Sequence, residues 1–159
     1  MATDLDPATD LTFTRTLPVP PEPVWRCWTT PALLRRFFVP APHAVTACTI
    51  ELRVGGRFET TFDIGGTAIE NKGVWLELVP NRRLVFTDAY TDGWKPAPEP
   101  FLTGIVEMQE DGAGGTVYTV TARHRTQAAR EAHEAMGFYQ GWGTATNQLA
   151  ELARTLPPA

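Results

Sequence analysis

The stretch QAAREAHEAMGFYQGWGTATNQLAELARTL, Gln127 to Leu156, decides how this chain folds. Within it Ala135, Phe138, Trp142, Ala145, Leu149, Leu152 and Leu156 recur at intervals of three and four residues, which sets them on one face of a helix. An apolar face of that length has to be buried, so the rest of the chain must supply a surface for it. Gly137, Gly141 and Gly143 fall inside the same helical pattern, and each costs up to about 1 kcal/mol relative to alanine in a helix interior. A helix kept only for packing has no need of them, so they point to space beside the helix.

The surface is a sheet. Leu11 to Leu17 (LTFTRTL) alternates apolar and polar side chains, the period of a half-buried strand, after about ten residues expected to form a flexible N-terminal tail. Pro18, Pro20, Pro21 and Pro23 end it. PEPVWRCWTT and PALLRRFF then read as two short helices, the second capped by Thr30 with Pro31 at its first position. From Val45 to Arg125 the composition turns to threonine, valine and aromatics, with six strands expected at about 45–54, 56–64, 67–79, 83–90, 101–109 and 116–125. Gly55-Gly56, Gly65-Gly66, Pro80-Asn81 and Asp111 to Gly115 supply tight turns. Thr91 to Pro100 (TDGWKPAPEP) is too long and proline-rich for a hairpin turn and reads as a lid or binding loop. The expected fold is therefore α+β: a curved seven-stranded antiparallel sheet wrapped around a long C-terminal helix, with two short helices after the first strand. It forms one domain over residues 11–156.

Bulk properties exclude several functions. A chain of 159 residues carrying 43% hydrophobic and 20% charged residues suits one globular domain. A net charge of −4 and the lack of a basic run argue against nucleic acid as a partner. No apolar run is long enough to span a membrane, and MATDLDPATD is no secretory signal, so a cytoplasmic location is expected. Cys27 and Cys48 have neither CxxC spacing nor histidine companions and read as reduced, buried thiols. No metal is expected. LRVGGRF and FDIGGTA turn between strands instead of opening helices, and no GxSxG elbow occurs, so no cofactor and no nucleophile triad is indicated.

The order of the pieces resembles a known family. VPPEPVWRCWTTPALLRRFF, LRVGGRFE, GVWLELVPNRRLVFTDA, GWKPAPEPF and HEAMGFYQGWGTATNQL, spanning roughly Phe13 to Leu156, are similar to the START-like (SRPBCC) superfamily. Within it they resemble the stand-alone bacterial proteins related to the C-terminal domain of the activator of the ninety-kilodalton heat-shock chaperone ATPase. The resemblance implies a helix-grip fold, the same architecture that the patterning gives. It leaves function open, because members include lipid carriers, hormone receptors, polyketide aromatases and cyclases, and co-chaperone domains. The chaperone activator's additional N-terminal domain has no counterpart in these residues, which argues against chaperone activation.

Strand parity gives candidate residues for a cavity between sheet and helix. Anchoring on Tyr118, Val120 and Ala122 sends His124 inward beside the start of the long helix. Anchoring on Val74, Leu76 and Leu78 sends Glu70 and Lys72 inward, and Leu84 and Phe86 bring Asp88 and Tyr90 to the same side. These groups could hold a polar ligand head or move a proton; equally, Glu70, Lys72 and Asp88 could sit at a wet rim as surface pairs, and His124 could be a structural histidine. Glu131 and Glu134 lie near the helix start, where the helix dipole alone accounts for them and a place at the cavity entrance is the alternative. His133 lies off the stripe and is expected to be solvated. Phe38, Phe62, Phe86, Trp94, Phe101, Phe138 and Trp142 would line an apolar chamber or be plain core.

The expected function is binding of a small hydrophobic or aromatic molecule beside the half of the helix from Glu131 to Gly141. A polyketide aromatase or cyclase, with His124, Glu70 or Tyr118 exchanging protons, is the enzymatic alternative, and a co-chaperone-like interaction domain is the third. A second copy of the chain is kept open as a partner.

Overall fold

The computed structural model describes residues 3–158. β1 (Asp10–Leu17) leads through a proline-rich turn into α1 (Pro21–Thr29) and α2 (Pro31–Leu34). Each of these helices begins with proline at its first position, where the missing N–H would have had no partner. There follow β2 (Ala44–Ile50), β3 (Arg57–Ile64), β4 (Thr67–Val79), β5 (Arg83–Thr87), the two-residue strands β6 (Tyr90–Thr91) and β7 (Lys95–Pro96), β8 (Thr103–Glu110) and β9 (Thr116–Arg123). The chain ends in α3 (Gln127–Ala135) and α4 (Phe138–Thr155).

Seven strands form one antiparallel sheet in the order β1-β9-β8-β5-β4-β3-β2. The first strand thus returns beside the last, and every other neighbour is a hairpin or near-hairpin connection. β6 and β7 pair separately and make a small ribbon of the long loop. The sheet is the expected one, and the helices pack on one side of it as a helix-grip requires.

Two expectations need correction. The single helix over Gln127–Leu156 is two helices, broken where Gly137 takes φ 97°. That left-handed conformation costs a residue with a β-carbon roughly 1–2 kcal/mol and costs glycine little. Beyond the break the stripe is as expected, with Phe138, Ala145, Leu149 and Leu152 buried, but Ala135 on the other side is exposed. β4 also departs from simple alternation: Trp75 faces Phe86 and Glu77 faces Val85, so Leu76 is an extra residue. A bulge of this kind flips strand parity. Trp75 belongs to the main core, Leu78 packs against that core beyond the bulge, and Glu70 and Lys72 take the opposite parity to Trp75. Both are exposed, so neither points into the core as expected: Glu70 stays outside the cavity and Lys72 reaches only its rim.

The core centres on Trp28, fully buried, whose ring meets Phe37, Phe38, Phe86 and Trp142 at centroid distances of 5.3–6.3 Å. Its Nε1–H donates to the Tyr118 hydroxyl at 3.0 Å, which satisfies two buried polar groups at once. From α4, Leu149, Leu152 and Ala153 complete this core, while Phe138 joins Leu11 and Ala122 in a smaller cluster. Between the two clusters the helix and the sheet do not close on each other.

Candidate ligand cavity

A cavity of about 280 Å³ occupies that gap. Its volume lies close to the lower limit of small-molecule sites, about 300 Å³. One wall is the sheet: Phe58, Thr60 and Phe62 from β3, Asn71 and Gly73 from β4, Phe86 and Thr87 from β5. The opposite wall is the helix joint and the first turns of α4, with His133, Gly137, Phe138, Gly141, Trp142 and Ala145. Phe38 and Pro40 close one end, and Asp88, Phe101 and Leu102 the other. Met136, 73% exposed, stands at the mouth.

Local sequence explains how these groups arrive there. Phe38 follows α2 and is held by Gln148 of α4, whose amide donates to the carbonyls of Phe37 and Val39 at 3.0 and 2.8 Å and accepts from Ala41 N–H at 2.8 Å. Phe86 can lean across β8 because its partner there is Gly104, where a β-carbon would collide with the phenyl ring. The helix glycines have separate tasks. Gly137 makes the break, Gly143 leaves room for the Arg15 guanidinium, and a β-carbon on Gly141 would meet no atom within 4 Å. Gly141 therefore faces empty space in the cavity wall.

Of the residues anticipated for the cavity, Phe38, Phe62, Lys72, Phe86, Asp88, Phe101, Phe138 and Trp142 line it, Lys72 from an exposed position at the rim. The others lie elsewhere. Glu70 is exposed. Tyr118 is sealed in the core against Trp28, and burial pushes its pKa up. Tyr90 and Trp94 pack on each other at the small ribbon, Trp94 at φ 59° with its ring against Gly55, and neither lines the cavity. Glu131 and Glu134 are exposed partners of Arg130. His124 is buried behind the cavity wall, lining a second cleft beside Arg123 and Arg125.

Asp88 lines the cavity but its carboxylate is already engaged. It accepts the backbone N–H groups of Phe101 and Leu102 at 2.8–3.1 Å, so it fixes the end wall. Thr87 shares its hydroxyl with Thr103 at 2.9 Å, and Thr60 accepts from the Asn71 amide at 3.4 Å.

The group that sequence reading missed is His133. It is 7% exposed, not solvated, and its Nδ1 lies 2.8 Å from Nε2 of His124. Phe101 and Phe138 flank its ring at 4.6 and 5.2 Å. Burial, and then the neighbouring His124, hold its pKa down at about 4. The break at Gly137 turns α3 relative to α4 and carries His133 inside; the glycine was the only signal for it in the sequence. His124 Nδ1 in turn sits 2.8 Å from the Thr9 carbonyl. That carbonyl belongs to a turn closed by Thr9 N–H on Asp6 C=O at 3.1 Å and by Asp6 N–H on the Asp10 carboxylate at 2.9 Å. Arg123 anchors the carboxylate at 2.8 Å. The residues expected as a tail include this turn.

Both cysteines are free thiols whose pKa burial raises, to about 12 for Cys27 and about 11 for Cys48. Among the described residues no group of three or more His, Cys, Asp or Glu could hold a metal ion, and no helix is long and apolar enough to cross a membrane.

Comparison with known proteins agrees with this architecture. The family model described as Activator of Hsp90 ATPase homolog 1-like protein matches residues 18–154. A crystal structure of a protein from Nitrosomonas europaea is similar at 40% identity and TM-score 0.91, covering 94% of this chain and 97% of that one. A protein from Rhodobacter sphaeroides shares the fold at 21% identity and TM-score 0.82, covering 98% and 99% of the two chains. An AHSA1-like protein from Aeromonas hydrophila does so at 18% identity and TM-score 0.66, covering 91% and 92%. No protein of curated function matches.

Proposed function

The chain belongs to the Activator of Hsp90 ATPase homolog 1-like family, and from that premise we propose that it binds a small hydrophobic or aromatic molecule between the curved sheet and the first turns of α4. The observation that supports this reading is the unfilled, aromatic-walled cavity beside Gly141, a helix position where the chain forgoes about 0.5–1 kcal/mol of helix stability and keeps space. The polar groups in the wall are few, which suits a ligand held mainly by apolar contact and oriented by one or two hydrogen bonds.

The cyclase-like alternative requires its proton-exchanging groups to converge in the cavity. Glu70 and Tyr118 do not reach it, and His124 stands behind His133. The co-chaperone reading rests on the family's description alone.

A thermal-shift screen against hydrophobic and aromatic metabolites, run in parallel on wild type and Gly141→Leu, tests the binding reading. Compounds that stabilise the wild type and leave Gly141→Leu unmoved are expected. If every compound that stabilises one stabilises both equally, the cavity is not the site.

A further inference from the structure

Building on the cavity as a binding site, we infer that its ligand carries a hydrogen-bond donor, a phenolic or enolic hydroxyl, received by Nε2 of His133. The Thr9 carbonyl faces the His124 ring. A carbonyl oxygen only accepts, so His124 Nδ1, 2.8 Å away, carries a hydrogen. With that single proton on His124, its Nε2 is an acceptor and His133 Nδ1, 2.8 Å from it, is the donor; a second proton on His124 would reverse the pair, which the nitrogen-15 measurement below reads directly. A neutral His133 that donates through Nδ1 has a bare lone pair on Nε2.

That lone pair has no protein partner among the described residues. Trp75 Nε1 is the one side-chain nitrogen or oxygen among them that is both sealed from solvent and unpaired. His133 Nε2, unpaired as well, therefore opens onto accessible space, and the space its ring lines is the cavity. Of the other polar groups of the wall, Asp88 is engaged by Phe101 and Leu102, Thr87 by Thr103 and Thr60 by Asn71, while among the described residues Asn71 Oδ1 and the rim Lys72 stay unpaired on the sheet side, away from the two phenyl rings at His133. His133 Nε2 is the acceptor on the helix side of the cavity, and Phe101 and Phe138 beside its ring suit it to a hydroxyl carried on an aromatic ring. The orientation is fixed from behind, through His124, the Thr9 carbonyl and the turn that Asp10 and Arg123 hold.

The test uses two probes of nearly the same shape, 2-naphthol and 2-methoxynaphthalene, titrated at pH 7.5 against wild type, His133→Phe and Gly141→Leu. The expected result is that wild type prefers the naphthol by about tenfold, the scale of one hydrogen bond to an otherwise unsatisfied buried acceptor. His133→Phe should bind both alike, and Gly141→Leu should weaken both. Nitrogen-15 spectra of the wild-type imidazoles read the same claim without a variant: His133 should be protonated on Nδ1 and bare on Nε2, with Nε2 shifting on addition of the naphthol and not of the ether. Equal affinity of the two probes for wild type, or a proton on His133 Nε2 in the free protein, overturns the inference while leaving the cavity as a binding site. Failure of both probes to bind, or binding that Gly141→Leu does not weaken, overturns the site and the inference with it.

Discussion

His133 is neutral in the folded protein because burial and the adjacent His124 hold its pKa at about 4, while in the unfolded chain it titrates near 6.5. Between those values the unfolded chain binds a proton that the folded chain does not, so stability falls as the pH falls from 6.5 to 4. The loss attributable to this ring is up to about 3 kcal/mol. Urea unfolding at pH 7.5 and pH 4.5 should therefore show a steeper loss for wild type than for His133→Phe; parallel losses would show that His133 does not titrate this way. Gly137 contributes through its backbone. With φ 97°, Gly137→Ala should lower stability by about 1–2 kcal/mol, and an unchanged denaturation midpoint would count against the break being held by glycine's freedom. Single residues were legible where they obey one period. Of the seven aromatics named for the chamber, Phe38, Phe62, Phe86, Phe101, Phe138 and Trp142 line the cavity and Trp94 does not. His133 was hidden because the period was carried across Gly137 as though the helix ran on.

Among the elements, α3 is the one on which the histidine depends. It is nine residues long, buries His133 as its one fully sheltered side chain, and begins on Thr126, whose hydroxyl accepts from Ala129 N–H at 3.1 Å. A helix that short owes much of its persistence to its cap, and removing a threonine cap costs about 1 kcal/mol. Thr126→Ala should therefore speed amide exchange throughout Gln127–Ala135, leave Leu149–Ala153 protected, and erase the preference for a hydroxylated probe before it erases binding. Equal acceleration in both helices would mean that α3 and α4 open as one unit. The strands show where element reading holds and where it stops. β9 pairs with β1 without a bulge, so the inward set Tyr118, Val120 and Ala122 is buried as expected, and His124 beyond it is buried too, though behind the cavity wall and not in it. β4 carries an extra residue at Leu76 that nothing in WLELV announces, and the parity carried upstream through it put Glu70 and Lys72 on the wrong face.

At the scale of the whole molecule the fold divides its helix between two tasks. The C-terminal half of α4 closes the core with Leu149, Leu152 and Ala153, and the N-terminal half stands off the sheet and keeps the cavity. That division was legible because the apolar stripe is dense from Ala145 on and interrupted by glycines before it; the loop from Thr91 to Pro100, read as a lid or binding loop, contributes no residue to the cavity wall. A protein that holds a space open gives up stability to do so, and filling the space should reverse the exchange. Gly141→Leu replaces the weakest helix former but proline with a good one and places apolar atoms where none now stand. Without ligand the variant should melt above wild type. A ligand at about a hundred times its dissociation constant stabilises wild type by about 2.7 kcal/mol, or about 5–10 °C for a chain of this size, and cannot enter the variant. The order of melting temperatures should therefore invert when ligand is added, the variant higher without it and wild type higher with it. A variant that melts lower in both conditions would mean that the space beside Gly141 cannot take a side chain, and that the helix is spaced from the sheet for packing alone.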